Sequence, residues 1–168
     1  MIDESLGGGS RRPVASWLAC LGLVMFGCAT PQNVPPLRVE RQTIDVARPA
    51  GPFSGGVVVD NMLFSSGQIG TRPNTKQLVS GGIGAEMQQA MENLAAVLGH
   101  AGFAMADIVR CDVYLKNLDD YPEMDQVYRT FFGDGQFPSR ACVEVSNLML
   151  GASVEVSCIA VKGVRPRP

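Results

Sequence analysis

Histidine is almost missing from this chain: His100 is the only one in 168 residues. It falls in the last turn of a helical pattern, where a partly positive ring suits the helix dipole, and no nucleophile motif accompanies it. No Ser-His or Cys-His arrangement and no Gly-x-Ser-x-Gly elbow is present, which excludes the usual peptidase and esterase chemistries. Cysteines at 20, 28, 111, 142 and 158 show no CxxC and no Cys/His metal spacing, so no metal is expected. Charge of one sign is also lacking. With 14 basic and 16 acidic residues and a formal net charge of −2, the chain has no clustered basic footprint, and no nucleic-acid partner is expected. Gly81-Gly82 is not followed by Gly-Lys-Ser/Thr, which excludes a phosphate-cradling P-loop.

Long apolar runs are lacking too, with one exception. Arg11-Arg12-Pro13 precedes the mostly apolar residues 14–27, a stretch too short for a membrane-spanning helix and shaped like an export signal. Its end, Val24-Met25-Phe26-Gly27-Cys28, resembles a bacterial lipobox, although Phe26 stands where a small residue is usual. The expectation is an exported protein, periplasmic or membrane-anchored, with a lipid on Cys28 as a possible tether to the membrane. The alternatives are a mis-assigned start or an apolar tail, with the cytosol as location. Arg11-Arg12 resembles a twin-arginine signal only loosely. Without Cys20 and Cys28 three cysteines remain; an odd number in apolar, strand-like runs speaks against a disulfide framework. Residues 1–28 are thus read as a signal, 29–42 as a polar proline-bearing linker, 43–163 as one domain and 164–168 as a tail.

Within the domain, Val57-Val58-Val59 and residues 62–69 are β-favouring runs separated by Asp60-Asn61, which reads as a hairpin. Gly67 in the second run marks a bulge, a ligand approaching the backbone, or close packing of a neighbour. Met87, Met91, Leu94, Leu98 and Ala101 recur at helical spacing over residues 85–100, closed by Gly102. Residues 107–116 read as a strand with Val109, Cys111, Val113 and Leu115 on one face. A second helix starts at Asp119 or Asp120 with Pro122 in its first turn, and Met124, Val127, Tyr128, Phe131 and Phe132 form its buried face. A strand follows Pro138, and a last one spans residues 153–162. This β-β-α-β-α-β-β order predicts an α+β two-layer domain, two helices covering one face of a mixed sheet of four to six strands. The opposite face is too apolar to be left in water, which predicts oligomerisation.

Two residues stand out. Arg140 opens the strand after Phe137-Pro138-Ser139, and its planar, permanently charged fork matches a carboxylate. It is either a fixed acid-binding group or an arginine paired with a nearby Asp or Glu. Glu155 lies between Val154 and Val156, so it points to the opposite sheet face. Such an acid is either paired structurally with an arginine or partly desolvated, with a raised pKa, to move protons to and from a bound water. Together they make a minimal site for hydrolysing a molecule that bears a carboxylate.

From about residue 44 to 162 the chain resembles the RidA (YjgF/YER057c/UK114) family of enamine/imine deaminases. The resemblance rests on Gly51-Pro52-Phe53-Ser54, residues 61–69, Glu92-Asn93-Leu94 with Ala101-Gly102, and Val113-Tyr114-Leu115. It continues through Phe131-Phe132, residues 137–145, Val154-Glu155-Val156 and Ile159-Ala160-Val161. It implies a chorismate-mutase-like two-layer fold, a homotrimer with clefts between subunits, and a histidine-free site that needs no cofactor. It implies that Arg140 binds the substrate carboxylate, that Glu155 activates the attacking water, and that Gly67 and Cys142 line the cleft. Cys142, a nucleophile in principle, is then lining. The implied substrates are 2-imino or enamine acids such as 2-aminoacrylate and 2-iminobutanoate, and the products are 2-oxo acids and ammonia. The chain departs at Phe53, a substrate-lining position where members often carry tyrosine; one lost hydrogen bond there is worth on the order of 1 kcal/mol. The alternative function is a trimeric module that binds small carboxylates, or a surface partner, without turnover.

Overall fold

The computed structural model of the chain describes residues 39–46 and 51–163. The export, lipidation and tail readings, Cys28 among them, lie outside the described residues. Seven strands form one mixed sheet: β1 (Arg41–Ile44), β2 (Gly56–Val59), β3 (Met62–Ser65), β4 (Gln68–Ile69), β5 (Ile108–Leu115), β6 (Ser139–Glu144) and β7 (Val154–Val161). Two helices, α1 (Gly82–His100) and α2 (Tyr121–Thr130), cover one face. The strand order is β1-β2-β3-β7-β5-β6, with β4 pairing the start of β7. All pairings are antiparallel except β5 with β6, the two strands that α2 connects.

The α+β layering agrees with the sequence reading, but the sheet is wider than four to six strands. β1 is the first addition. Its Arg41-Gln42-Thr43 is polar and exposed, as suits an edge, and only Ile44 is buried. The second is β4, because the run 62–69 is two strands broken at Ser66-Gly67, where the chain leaves the ladder position that β3 held against β7.

The core is what alternation places beneath the sheet. Val154, Val156, Cys158 and Ala160 of β7, Leu63 of β3, and Cys111, Val113 and Leu115 of β5 pack on Met87, Met91, Leu94 and Leu98 of α1. Val109 does not join them. A register shift between Ile108 and Arg110 makes Val109 the extra residue, so Ile108 turns inward in its place. Met124 and Tyr128 of α2 and Phe132 just past its end are buried, with Val127 and Phe131 packed at the margin. α1 starts three residues before the helical run inferred from sequence: Gly82 has φ +74 and Gly81, its N-cap, φ +123.

Two features fix the layers to each other. Glu86 of α1, buried, accepts from Ser153 N–H at 2.8 Å and from its hydroxyl at 2.9 Å, anchoring the start of β7. Gly70 passes so close to α1 that a Cβ there would stand 2.6 Å from the Glu86 Cα. Asn93 completes this corner by donating to the Ile69 and Thr71 carbonyls.

Candidate functional site

Arg140 is in register with Cys111, whose side chain is in the core, so it points to the helix-covered face. There it meets three residues of α2. Tyr121, Asp125 and Tyr128 follow at steps of four and three and form one stripe facing β6. The guanidinium Nη2 lies 2.8 Å from Asp125 Oδ1 and donates to the Tyr121 hydroxyl at 2.5 Å. Its carbon stands 4.6 Å above the Tyr128 ring centroid and 5.3 Å from that of Tyr121. The other Asp125 oxygen accepts from Arg129 Nε at 2.6 Å. One carboxylate therefore bridges two arginines. Burial pulls the Asp125 carboxyl up, but the hydrogen bonds and charges of Arg129 and Arg140 together outweigh it and hold the group below its ordinary range.

The Nε and Nη1 groups of Arg140 make no hydrogen bond among the described residues, so this guanidinium is clamped at one corner and available at the others. It borders a depression lined by Asp125, Tyr128, Arg129, Phe137 and Pro138. The proline that leads into β6 thus also forms one wall, and Arg129 lies over the Phe137 ring at 5.4 Å. The pairing of Arg140 with a nearby acid is what the structure shows, and that pair holds the guanidinium in place.

Glu155 is elsewhere in the same chain. It is in register with Tyr114 of β5 and Ile69 of β4, on the sheet face away from the helices. It borders a second, wider depression with residues 147–151, where Leu150 holds φ +59 and Met149 and Leu150 are exposed. Gly67 lies against it: a Cβ at that position would run into the Glu155 carboxylate. Of the readings of this glycine, close packing of a neighbour is the one the structure shows.

Cys142 is in register with Val113 and shares the helix-covered face with Arg140. Burial pushes its thiol up, and the opposing pull of Arg140 is smaller, which disfavours a thiolate nucleophile; Cys142 borders neither depression. Phe53 is 56% exposed and folds its ring over Gly51; it borders neither depression. His100 is exposed, with Nδ1 3.1 Å from the Ala96 carbonyl. Among the described residues no group of three His, Cys, Asp or Glu side chains is placed to hold a metal. Within one chain, then, Arg140 and Cys142 come together, Glu155 and Gly67 come together, and the sheet separates the two pairs.

Sequence reasoning missed Tyr121, Asp125 and Arg129. The signal for the first two is the stripe 121-125-128 on α2, and Arg129 stands four residues after Asp125, at ion-pair spacing.

A family model described as endoribonuclease L-PSP matches residues 43–162. The chain belongs to that family. Its relatives carry the names that the sequence resemblance indicated. A RutC family protein of Pyrococcus horikoshii is 38% identical over 120 residues, covering 71% of this chain and 94% of its own. The 2-iminobutanoate/2-iminopropanoate deaminase of Homo sapiens is 36% identical over 113 residues, 67% of this chain and 82% of that protein. The crystal structure of RidA from an Antarctic Psychrobacter species superposes with a TM-score of 0.67 at 32% identity, covering 71% of this chain and 98% of that one. The family match thus spans both helices and the sheet from Thr43, within β1, to the end of β7.

Proposed function

We propose that this L-PSP family protein hydrolyses reactive 2-imino and enamine acids of the 2-iminobutanoate and 2-aminoacrylate type to 2-oxo acids and ammonia. The observation that carries this reading is Arg140. It is a guanidinium fixed by Asp125, Tyr121 and Tyr128, with donors left over at the edge of a depression. Names among the relatives support the same reaction.

Arg140 takes the substrate carboxylate and so orients the adjacent C=N carbon. That carbon is already electrophilic, so the protein has only to deliver water and move protons. The water oxygen bonds to the imine carbon as the C=N π pair passes to nitrogen. Glu155 accepts a proton from the water and returns it to the nitrogen. The carbinolamine then collapses: its hydroxyl proton passes by way of Glu155 to the amino nitrogen, the C–N bond breaks as C=O forms, and ammonia leaves. An enamine is first protonated at its β-carbon to give the imine. No metal or cofactor takes part.

Because Arg140 and Glu155 lie on opposite faces of one sheet, the complete site in this reading is shared between copies of a homotrimer. Support comes from the helix-free face, where Val57, Val59, Met62, Phe64, Ile159 and Val161 form an apolar surface around the sheet centre. The partner is a small acid rather than RNA, in keeping with the net charge of −2. The export reading stands as a proposal of the same kind, and mass spectrometry of the native N-terminus tests it.

The decisive measurement is 2-oxo acid formation in an assay where threonine dehydratase or an amino-acid oxidase supplies the imine. The protein should accelerate it, and Arg140→Ala should abolish the acceleration. Should the variant match the wild type, Arg140 has no part in the reaction. Saturable carboxylate binding without any acceleration would favour the non-catalytic module, which the missing Phe53 hydroxyl also suits.

A further inference from the structure

We infer that Asp125 is a specificity-determining residue that restricts the Arg140 site to acids with a single carboxylate. The inference rests on the proposed binding of a substrate carboxylate by Arg140, and it narrows the substrate class. Arg129 and Arg140 border the same depression of about 290 Å³, and each gives one contact to Asp125, at 2.6 and 2.8 Å. Asp125 thus bridges the two guanidiniums in the way that the second carboxylate of a dicarboxylic acid would, and it does so before any ligand arrives.

The charge of the lining follows directly. Arg129 and Arg140 contribute +2 and Asp125 −1, leaving +1, and Tyr128, Phe137 and Pro138 add nothing. One ligand carboxylate brings the cavity to neutrality. A second would leave it at −1, with Asp125 as a wall. The side chains of Asp125 and Arg140 are only 15% and 17% exposed, so solvent screens this like-charge encounter poorly. Arg129, 60% exposed and laid over Phe137, sits at the mouth, where a ligand's side-chain acid would have to reach. The lowered pKa of Asp125 is in keeping with this, because the group stays charged throughout the neutral range. Tyr128 and Phe137 offer apolar surface to an uncharged side chain.

The test compares binding of 2-oxobutanoate and 2-oxoglutarate by titration calorimetry, with one carboxylate on the first and two on the second. The wild type should prefer 2-oxobutanoate. Asp125→Asn, which keeps the shape and removes the charge, should shift the ratio of affinities toward 2-oxoglutarate by tenfold or more. Arg129→Gln, at an exposed position, should shift it the other way by weakening 2-oxoglutarate. If both ligands weaken in parallel in Asp125→Asn, with a lower melting temperature, the residue only supports the fold and the inference fails. It fails equally if Arg129→Gln leaves the ratio unmoved. Binding and turnover separate the two readings. Selective binding without accelerated imine hydrolysis overturns the deaminase and leaves this inference standing; accelerated hydrolysis with unshifted ratios does the reverse.

Discussion

Tyr128 carries two duties that pull against each other. Its ring lies under Arg140, while its hydroxyl is buried without a hydrogen-bond partner among the described residues and has the Cys111 thiol as polar company. A buried hydroxyl left unpaired is unfavourable. Tyr128→Phe keeps the ring and removes the burden, so thermal unfolding should show an unchanged or higher midpoint, a gain of up to about 1 kcal/mol. Asp125 yields a prediction in pH. Its folded pKa lies below the ordinary carboxyl value of 3.8, so it stabilises the fold fully above that value and loses the contribution as pH falls through the lower, folded one. The difference in melting temperature between wild type and Asp125→Asn should therefore be largest near pH 7 and shrink steadily from about pH 4 downward. The buried cysteines follow similar logic. Burial pushes Cys158 up to about 12 and Cys111 in the same direction. Iodoacetamide, followed by mass spectrometry, should label neither until the protein is unfolded.

At the scale of elements, α1 is tied to β7 by one carboxylate. Removing Glu86 leaves the Ser153 N–H and hydroxyl without their acceptor, so Glu86→Ala should cost about 1–3 kcal/mol, read as a lower denaturant midpoint. Glu86→Gln, which keeps one acceptor oxygen, should lose less. This scale also shows what the sequence could and could not tell. α1 and β7 were legible because their apolar residues keep a strict period, and a period survives any tertiary context. β1 was not, because three of its four residues are polar and only pairing with β2 makes them a strand. Val109 was misplaced because a bulge breaks the alternation, and nothing in Ile108-Val109-Arg110 announces which residue will be extra. Arg140 and Glu155 declared themselves as charges at strand positions. Asp125 did not, since choosing it from the acids of residues 119–125 required knowing which face of α2 meets β6.

Over the whole molecule, the sheet has one face covered by helices and one without them. Its rows of Val57, Phe64 and Ile159, and of Val59, Met62 and Val161, run across three strands, and Phe64 is 40% exposed. Phe64→Glu places a charge in the middle of this surface. If the proposed trimer forms through this face, analytical ultracentrifugation should find a trimer for the wild type and monomers for the variant, and imine hydrolysis should fall with the assembly.

The parallel pairing of β5 with β6 across α2 has one more consequence. Everything that grips the Arg140 guanidinium comes from the contiguous stretch 108–144, whereas Glu155, Gly67 and the 147–151 loop come from outside it. In the proposed reaction the acid-binding half and the water-handling half are thus separate cassettes. A graft of that one segment from a relative with different tastes should exchange ligand choice while leaving the hydrolytic half untouched.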